Sequence, residues 1–226
     1  MTHFSDALRS GDAAPVGSGL SKGYQRAELL AVEFGAVTTL TSTGICVSVT
    51  TTGASSGLSA TGSLVSGGVA TFDVPRAVSL TSTANNSGLG VTVNGTDVYG
   101  VTMSEKITGP NNTTVNGAKA FKTVTSLTAT GIVTALSAGS SDVYGLPVRI
   151  ADKGKVLGMY MDGVSATAFT TVAGFSATGA VSTATTADTR GTVTHNTASN
   201  GTRVFSALVI VGDPNTTVGL YGATQA

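Results

Sequence analysis

The chain has 226 residues, of which 12 are basic and 12 acidic, so its formal net charge is zero. Only 11% of residues are charged, against about 25% in an average globular chain. A neutral chain with a mean hydropathy of +0.28 argues against disorder, and the lack of a basic stripe argues against nucleic-acid binding. Abundant Thr, Val and Gly favour an all-β fold, a sandwich or barrel of many short antiparallel strands.

The first 35 residues are predicted to form an extended N-terminal arm, because residues 1–26 are polar and rich in glycine. Residues 25–34 combine fair helix propensity with apolar character, and a short helix and a strand both remain open there. No apolar segment resembling a secretory signal surrounds Arg9. The apolar runs of the chain are too short to span a membrane, so no membrane partner is expected.

Residues 36–138 are predicted to form a β-rich domain, because apolar residues recur there at period two between Gly, Ser and Asn clusters. The predicted strands are 37–40, 45–50, 69–74, 91–93 and 121–127, the last with a bulge. Asn94-Gly95 is predicted to form a two-residue hairpin turn. Further turns are expected at 108–112 and 115–117.

Residues 139–226 are predicted to form a second β-rich domain or a continuation of the same sandwich. The strands expected there are 148–150, 155–160, 205–211 and 218–222, and the expected turns are Asp162-Gly163 and 213–215. The sequence Asp-Val-Tyr-Gly occurs at 97–100 and again at 142–145. The repeat fits two similar subdomains and chance similarity equally well.

The residues that could carry chemistry are few and scattered. Gly53–Gly57 fits the pattern G-x-S-x-G, but a nucleophile at Ser55 needs a following helix, a histidine and an acid. The histidines are His3, in the predicted arm, and His195, which we interpret as a surface residue. The acids that could hold a metal in a loop stand singly: Asp73, Asp97, Glu105, Asp142, Asp162, Asp188 and Asp213. The sequence therefore predicts no catalytic, cofactor-binding or metal site, and no cofactor.

The single cysteine, Cys46, lies between Ile45 and Val47. An apolar setting of this kind is typical of a buried small hydrophobe. One cysteine cannot form a disulfide within a chain, which suits folding in a reducing cytoplasm.

Residues 91–126 contain three turn and strand motifs: Asn-Gly-Thr-Asp at 94–97, Thr-Gly-Pro at 108–110 and Lys-Ala-Phe-Lys-Thr-Val-Thr-Ser at 119–126. Together these motifs resemble a module of tailed-phage structural proteins. Segments 142–149, 188–192 and 219–226 are similar to parts of small phage head proteins. The resemblance thus covers residues 91–226, and its motifs are turn and strand signatures without catalytic residues.

This resemblance implies a non-enzymatic virion protein of the head decoration or cement type. Such a protein is made in the host bacterial cytoplasm and binds the outside of the capsid shell. Its expected partners are the major capsid protein and itself. A homotrimer is expected because three-fold positions of a capsid are natural docking points and closed symmetry is the norm for oligomers. Three alternatives remain: a tail or fibre module that binds host surface glycans, a hydrolase using Ser55, and a bacterial adhesin or surface-layer domain.

Overall fold

The structure is a computed structural model that describes residues 28–53, 56–150, 152–174, 188 and 190–211. Within these ranges the chain is all-β, as the composition predicts, and contains no α-helix. The first 27 residues of the predicted arm, and the strand and turn expected at 218–222 and 213–215, lie outside the described residues.

Thirteen strands follow one another through the described ranges. They are β1 (Glu28–Ala36), β2 (Cys46–Val49), β3 (Val65–Ser66), β4 (Val69–Ser82), β5 (Gly90–Thr96), β6 (Thr102–Thr108), β7 (Thr114–Ala129), β8 (Leu136–Gly145), β9 (Val156–Met161), β10 (Val164–Ser165), β11 (Phe169–Ala173), β12 (Gly191–His195) and β13 (Val204–Val211). A single 3-10 turn, Lys153–Lys155, precedes β9.

The strands form two curled antiparallel sheets in a sandwich-like arrangement. The smaller sheet has four strands in the order β1-β13-β9-β10. The larger sheet has nine strands, seven of them in the order β11-β12-β8-β4-β7-β5-β6. Its remaining members are β2, which pairs with β8, and β3, which pairs with β4.

Two apolar cores lie against these sheets, and β8 contributes to both. The first core is built on the large sheet and includes Leu80, Phe121 and Leu136. The second core includes Tyr144 near the end of β8 and Phe205 of β13, and so joins the two sheets. The predicted division between residues 138 and 139 falls inside β8, so one strand connects the two halves of the chain.

Several local predictions are confirmed. Residues 28–36 form a strand, which settles the choice between helix and strand in that segment. Asp162 and Gly163 both have positive φ angles, 52° and 77°, and connect β9 to β10 as a two-residue hairpin turn. The expected bulge in β7 lies at Thr125, where the β5–β7 register shifts between Asn94 and Gly95.

Two turn predictions are wrong. Asn94-Gly95 lies inside β5, and the chain reverses only after Thr96. Gly95 is required there for a close approach, because an added Cβ would lie 2.9 Å from the Thr123 carbonyl carbon. Residues 115–117 lie inside β7. At Gly117 an added Cβ would lie 2.5 Å from Oε2 of Glu105.

The strands predicted at 37–40 and 148–150 are also wrong. These segments make single hydrogen bonds rather than ladders, for example from Val37 N to Arg203 O at 3.4 Å and from Ile150 N to Arg190 O at 2.8 Å. Val37, Val148 and Ile150 still pack in the second core. In 148–150 the burial alternates along the chain without strand pairing, whereas in 37–40 only Val37 is buried.

Candidate functional site

A buried ion pair holds the turn between β5 and β6. Asp97 Oδ2 lies 2.7 Å from Arg190 Nη1, and the side chains are 2% and 3% exposed. The second carboxylate oxygen of Asp97 accepts hydrogen bonds from the backbone N–H groups of Tyr99 and Val101. The Arg190 guanidinium lies 4.8 Å from the centre of the Tyr99 ring, a cation–π distance. We call Asp97, Tyr99 and Arg190 the first triad.

A second triad of the same residue types, Arg76, Asp142 and Tyr144, lies on β4 and β8. Arg76 of β4 is 1% exposed, and its Nη2 lies 3.3 Å from Asp142 Oδ1. The guanidinium lies 5.6 Å from the centre of the Tyr144 ring. Nη2 of Arg76 also donates to Ser199 Oγ at 3.1 Å and to Thr38 O at 2.7 Å. The second triad thereby fixes two loop segments that are distant in sequence.

The two triads explain what the repeated Asp-Val-Tyr-Gly sequence has in common. In each copy the aspartate pairs with an arginine that lies over the tyrosine of the same copy. The copies nevertheless occupy different elements, since 97–100 is a turn and 142–145 lies in β8. This difference favours chance similarity over two duplicated subdomains.

Asp188 extends the first triad onto β7. Its Oδ2 accepts a hydrogen bond from Ala120 N at 2.9 Å, and its Oδ1 accepts one from Arg190 N at 2.8 Å. Its own backbone N–H donates to Ala118 O at 3.2 Å. The segment that leads into β12 is therefore anchored to the large sheet through one carboxylate and one arginine.

Glu105 of β6 and Lys119 of β7 are both fully buried beside this anchor. Glu105 accepts hydrogen bonds from Ala118 N at 2.6 Å and Lys119 N at 3.2 Å. The Lys119 ammonium donates to Ser104 O at 2.9 Å. Burial raises the pKa of Glu105 to about 7 from an ordinary 4.5, although the two backbone N–H groups oppose the shift. Burial also lowers the pKa of Lys119, and the charges of Glu105 and Asp188 oppose that change.

The raised pKa of Glu105 predicts a pH dependence of stability. The folded state binds a proton on Glu105 more tightly than the unfolded state, so this contribution is complete below about pH 4.5 and is lost as pH rises through 7. Its size is on the order of 3 kcal/mol. We expect Glu105→Gln to remove this part of the pH dependence, measured as the urea unfolding free energy at pH 5 and pH 8.

The matched control for this measurement is Glu33→Gln, because Glu33 is exposed on β1. In the control, the change in unfolding free energy between pH 5 and pH 8 should match that of the wild type. In Glu105→Gln, the loss of unfolding free energy between pH 5 and pH 8 should be smaller than in the wild type. Equal pH profiles for the wild type and Glu105→Gln would show that Glu105 does not titrate in this range.

A half-open groove of about 220 Å³ crosses the central strands of the large sheet. Many of its lining residues carry hydroxyl groups, but most of the surface that they offer to the groove is apolar. The lining residues are Leu40, Ser42, Ser79, Thr81, Thr114, Asn116, Ser140, Ser141, Asp142, Val143 and Thr194. Some hydroxyls are already engaged: Thr81 and Thr114 share a hydrogen bond at 2.8 Å, and Ser79 donates to Ser140 O at 3.1 Å. Asn116 is an exposed residue of the lining.

The residues considered for a hydrolase lie partly outside the structure. Ser55 and His3 lie outside the described residues, and the neighbouring Ser56 hydroxyl donates to Gly53 O within a turn. The expectation that His195 lies on the surface is wrong. His195 is 7% exposed, accepts a hydrogen bond from Thr197 N at 2.8 Å and packs edge-on against Phe205.

Cys46 is buried, as predicted, and burial raises the pKa of its thiol. No group of three His, Cys, Asp or Glu side chains in the described part of the chain is arranged to hold a metal ion. The described part of the chain also contains no helix that is long and apolar enough to cross a membrane.

The buried charged residues Arg76, Glu105 and Lys119 were not predicted from the sequence. None of them stands in a local pattern that would separate it from a surface charge. The repeated Asp-Val-Tyr-Gly was the one signal that pointed to the triads, because it placed an acid and an aromatic ring at a fixed spacing twice.

Comparison with known proteins gives no match: no protein-family model, no curated protein and no solved structure is similar to the chain.

Proposed function

We propose that the chain is a non-enzymatic structural protein of a tailed-phage virion, which binds the outside of the capsid shell and stabilises it. The support from the sequence is the resemblance of residues 91–226 to phage virion modules. The support from the structure is an all-β architecture whose buried charges bind loops to sheets. Its proposed partners are the major capsid protein and further copies of itself.

The observation that carries this proposal is that the buried carboxylates are bonded to arginines and to backbone N–H groups of the protein itself. Asp97, Asp142 and Asp188 direct their carboxylates at arginines and backbone N–H groups, and Glu105 accepts two backbone N–H groups. Groups bonded in this way stabilise loop positions, because hydrogen bonds to charged groups are stronger than those between neutral groups. A protein that coats a shell needs a fixed surface, and these contacts supply one.

A binding experiment with shells tests the proposal. Purified chain is added to capsid shells that lack it, and the shells are sedimented and analysed for bound protein. We expect saturation at one copy per one or a few capsid subunits and a higher melting temperature of the shell, because a ligand of the assembled state stabilises that state.

Shells that already carry their full complement serve as the control and should take up no more protein. Absence of saturable binding to bare shells, or binding without any change in shell melting, would contradict the cement role.

The groove supports a second candidate, a tail or fibre module that binds host surface glycans. Sugar hydroxyls pair with Ser, Thr and Asn side chains of the kind that line it. Under this alternative the isolated chain binds glycans from the host surface, and Asn116→Ala weakens that binding. Under the capsid proposal neither the wild type nor Asn116→Ala binds these glycans. A calorimetric titration of both proteins with the glycans distinguishes the two proposals.

A further inference from the structure

Strand β7 contains a bulge opposite β4. The register between the two strands runs from the pair Ala77–Ala120 to the pair Ser79–Asn116, so residues 117–119 stand opposite a single residue of β4. The extra residues of a bulge have no partner in the ladder. Because this bulge is largely buried, its backbone N–H groups need acceptors from outside the ladder.

Two side chains join this bulge to β6 reciprocally. Glu105 of β6 accepts hydrogen bonds from Ala118 N at 2.6 Å and Lys119 N at 3.2 Å, and Lys119 Nζ donates to Ser104 O at 2.9 Å. Strand β6 pairs with β5, and no register pair joins it to β7 in the part of the chain that the structure describes. Side chains therefore make the contact that a ladder makes elsewhere in the sheet. We call Glu105, Ser104 and the bulge 117–119 the clasp.

Charged groups act on Glu105 from two elements. Lys119 lies on β7, and Asp188 lies in the segment that leads into β12, where Ala120 N and Arg190 N donate to its carboxylate. Burial and, to a smaller extent, the charge of Asp188 raise the pKa of Glu105, while the two N–H groups of the bulge and the charge of Lys119 oppose the rise. The pKa of Glu105 is about 7 as a result, so the closed clasp favours a protonated carboxyl group.

An open clasp binds this proton less tightly. When the bulge lifts and water reaches the carboxyl group, the pKa of Glu105 returns to its ordinary value of 4.5. Between pH 4.5 and pH 7 the closed clasp keeps a proton that the open clasp has released, so rising pH favours opening; below and above this range the two forms bind equally many protons. From pH 5 to pH 8 the equilibrium shifts toward the open clasp by about 70-fold.

The opening requires little movement. The ladder pairs Ala77–Ala120 and Ser79–Asn116 hold β7 on both sides of the bulge. Strand β6 keeps its register with β5 along its whole length. Segments with few ladder hydrogen bonds open at a lower free energy than the whole protein, so the bulge can leave Glu105 while the sheet stays paired.

We propose that the clasp is a pH-sensitive seam of the large sheet, which opens far more often at pH 8 than at pH 5 while the strands around it stay paired. Each opening exposes the N–H groups of Ala118 and Lys119 and the carbonyl group of Ser104 to water. The seam is a property of the fold and does not depend on the proposed function.

Native-state hydrogen exchange of the Ala118 and Lys119 amides in the full chain tests the proposal. We expect their protection factors to fall by about 30-fold or more between pH 5 and pH 8. Their exchange should not respond to urea below the unfolding transition, because a local opening exposes little surface. The reference is the amide of the buried Ile45, which donates to Ala138 O at 2.9 Å and should exchange faster as urea is added.

Two variants identify the titrating group. Glu105→Gln should give equal protection factors at Ala118 and Lys119 at pH 5 and pH 8, whereas Glu33→Gln, which changes an exposed side chain of β1, should reproduce the wild-type fall. The wild-type measurements decide alone if Glu105→Gln does not fold. Equal protection at both pH values in the wild type, exchange at Ala118 that accelerates with urea as at Ile45, or a fall that persists in Glu105→Gln would overturn the proposal.

Discussion

Gly139→Ala is expected to destabilise the protein by about 4 kcal/mol or more, or to prevent folding, because a side chain has no space at this position. An added Cβ would lie 2.6 Å from the Thr41 carbonyl carbon and 2.7 Å from the Ser42 carbonyl carbon. These are backbone atoms, and the Thr41 carbonyl accepts a hydrogen bond from Ser140 N at 2.9 Å. Neither the segment at 41–42 nor β8 can move without breaking backbone hydrogen bonds, because β8 lies between β4 and β12 in the sheet. Urea unfolding measures the loss.

Gly88→Ala is the matched control for Gly139→Ala. An added Cβ at Gly88 meets no atom within 4 Å, and Gly88 is not among the glycines with positive φ. The unfolding free energy of this variant should remain within about 0.5 kcal/mol of the wild type or rise slightly. A Gly139→Ala protein as stable as Gly88→Ala would contradict the packing of residues 41–42 against β8.

Asp97→Ala is expected to lower the unfolding free energy by about 3–5 kcal/mol, because it leaves the Arg190 guanidinium buried without its carboxylate. The substitution also removes the acceptor for the N–H groups of Tyr99 and Val101. Asp97→Asn retains an acceptor oxygen but not the charge, so it should lose less than Asp97→Ala. The loss of unfolding free energy in Asp97→Asn reports mainly the ion pair, and the further loss in Asp97→Ala reports the hydrogen bonds of the turn.

The control for Asp97→Ala is Asp152→Ala, which removes an exposed aspartate that accepts one hydrogen bond from Gly154 N at 2.8 Å. We expect a loss below about 1 kcal/mol for this cap, again by urea unfolding. If Asp97→Ala and Asp152→Ala lowered the unfolding free energy by equally small amounts, the first triad would contribute no more to stability than a surface contact.

The sequence was sufficient to predict the fold class, since β-branched residues at period two and glycine-rich turns are local features. It was sufficient for Asp162-Gly163 because two positive φ angles in a two-residue loop demand such residues. It failed at Asn94-Gly95 and Gly117, where glycine serves a close approach between strands. Such an approach depends on the partner, Thr123 or Glu105, which no local pattern reveals.

The polar interior was harder to predict for the same reason. Arg190 pairs with Asp97 across 93 residues, and Arg76 pairs with Asp142 across 66. Their burial follows from tertiary pairing, not from neighbours in the chain. The polar neighbours Thr194 and Asn196 predict a surface position for His195. Strand β12 nevertheless places its ring against Phe205.

The copy number of this chain in purified virions, relative to the major capsid protein, tests the central proposal most directly. A quantitative gel or isotope-dilution mass spectrometry supplies the ratio. The capsid-decoration function predicts one copy per one or a few capsid subunits. A handful of copies per particle would place the chain at the tail or portal and favour the glycan-binding alternative, and absence from virions would contradict a virion function altogether.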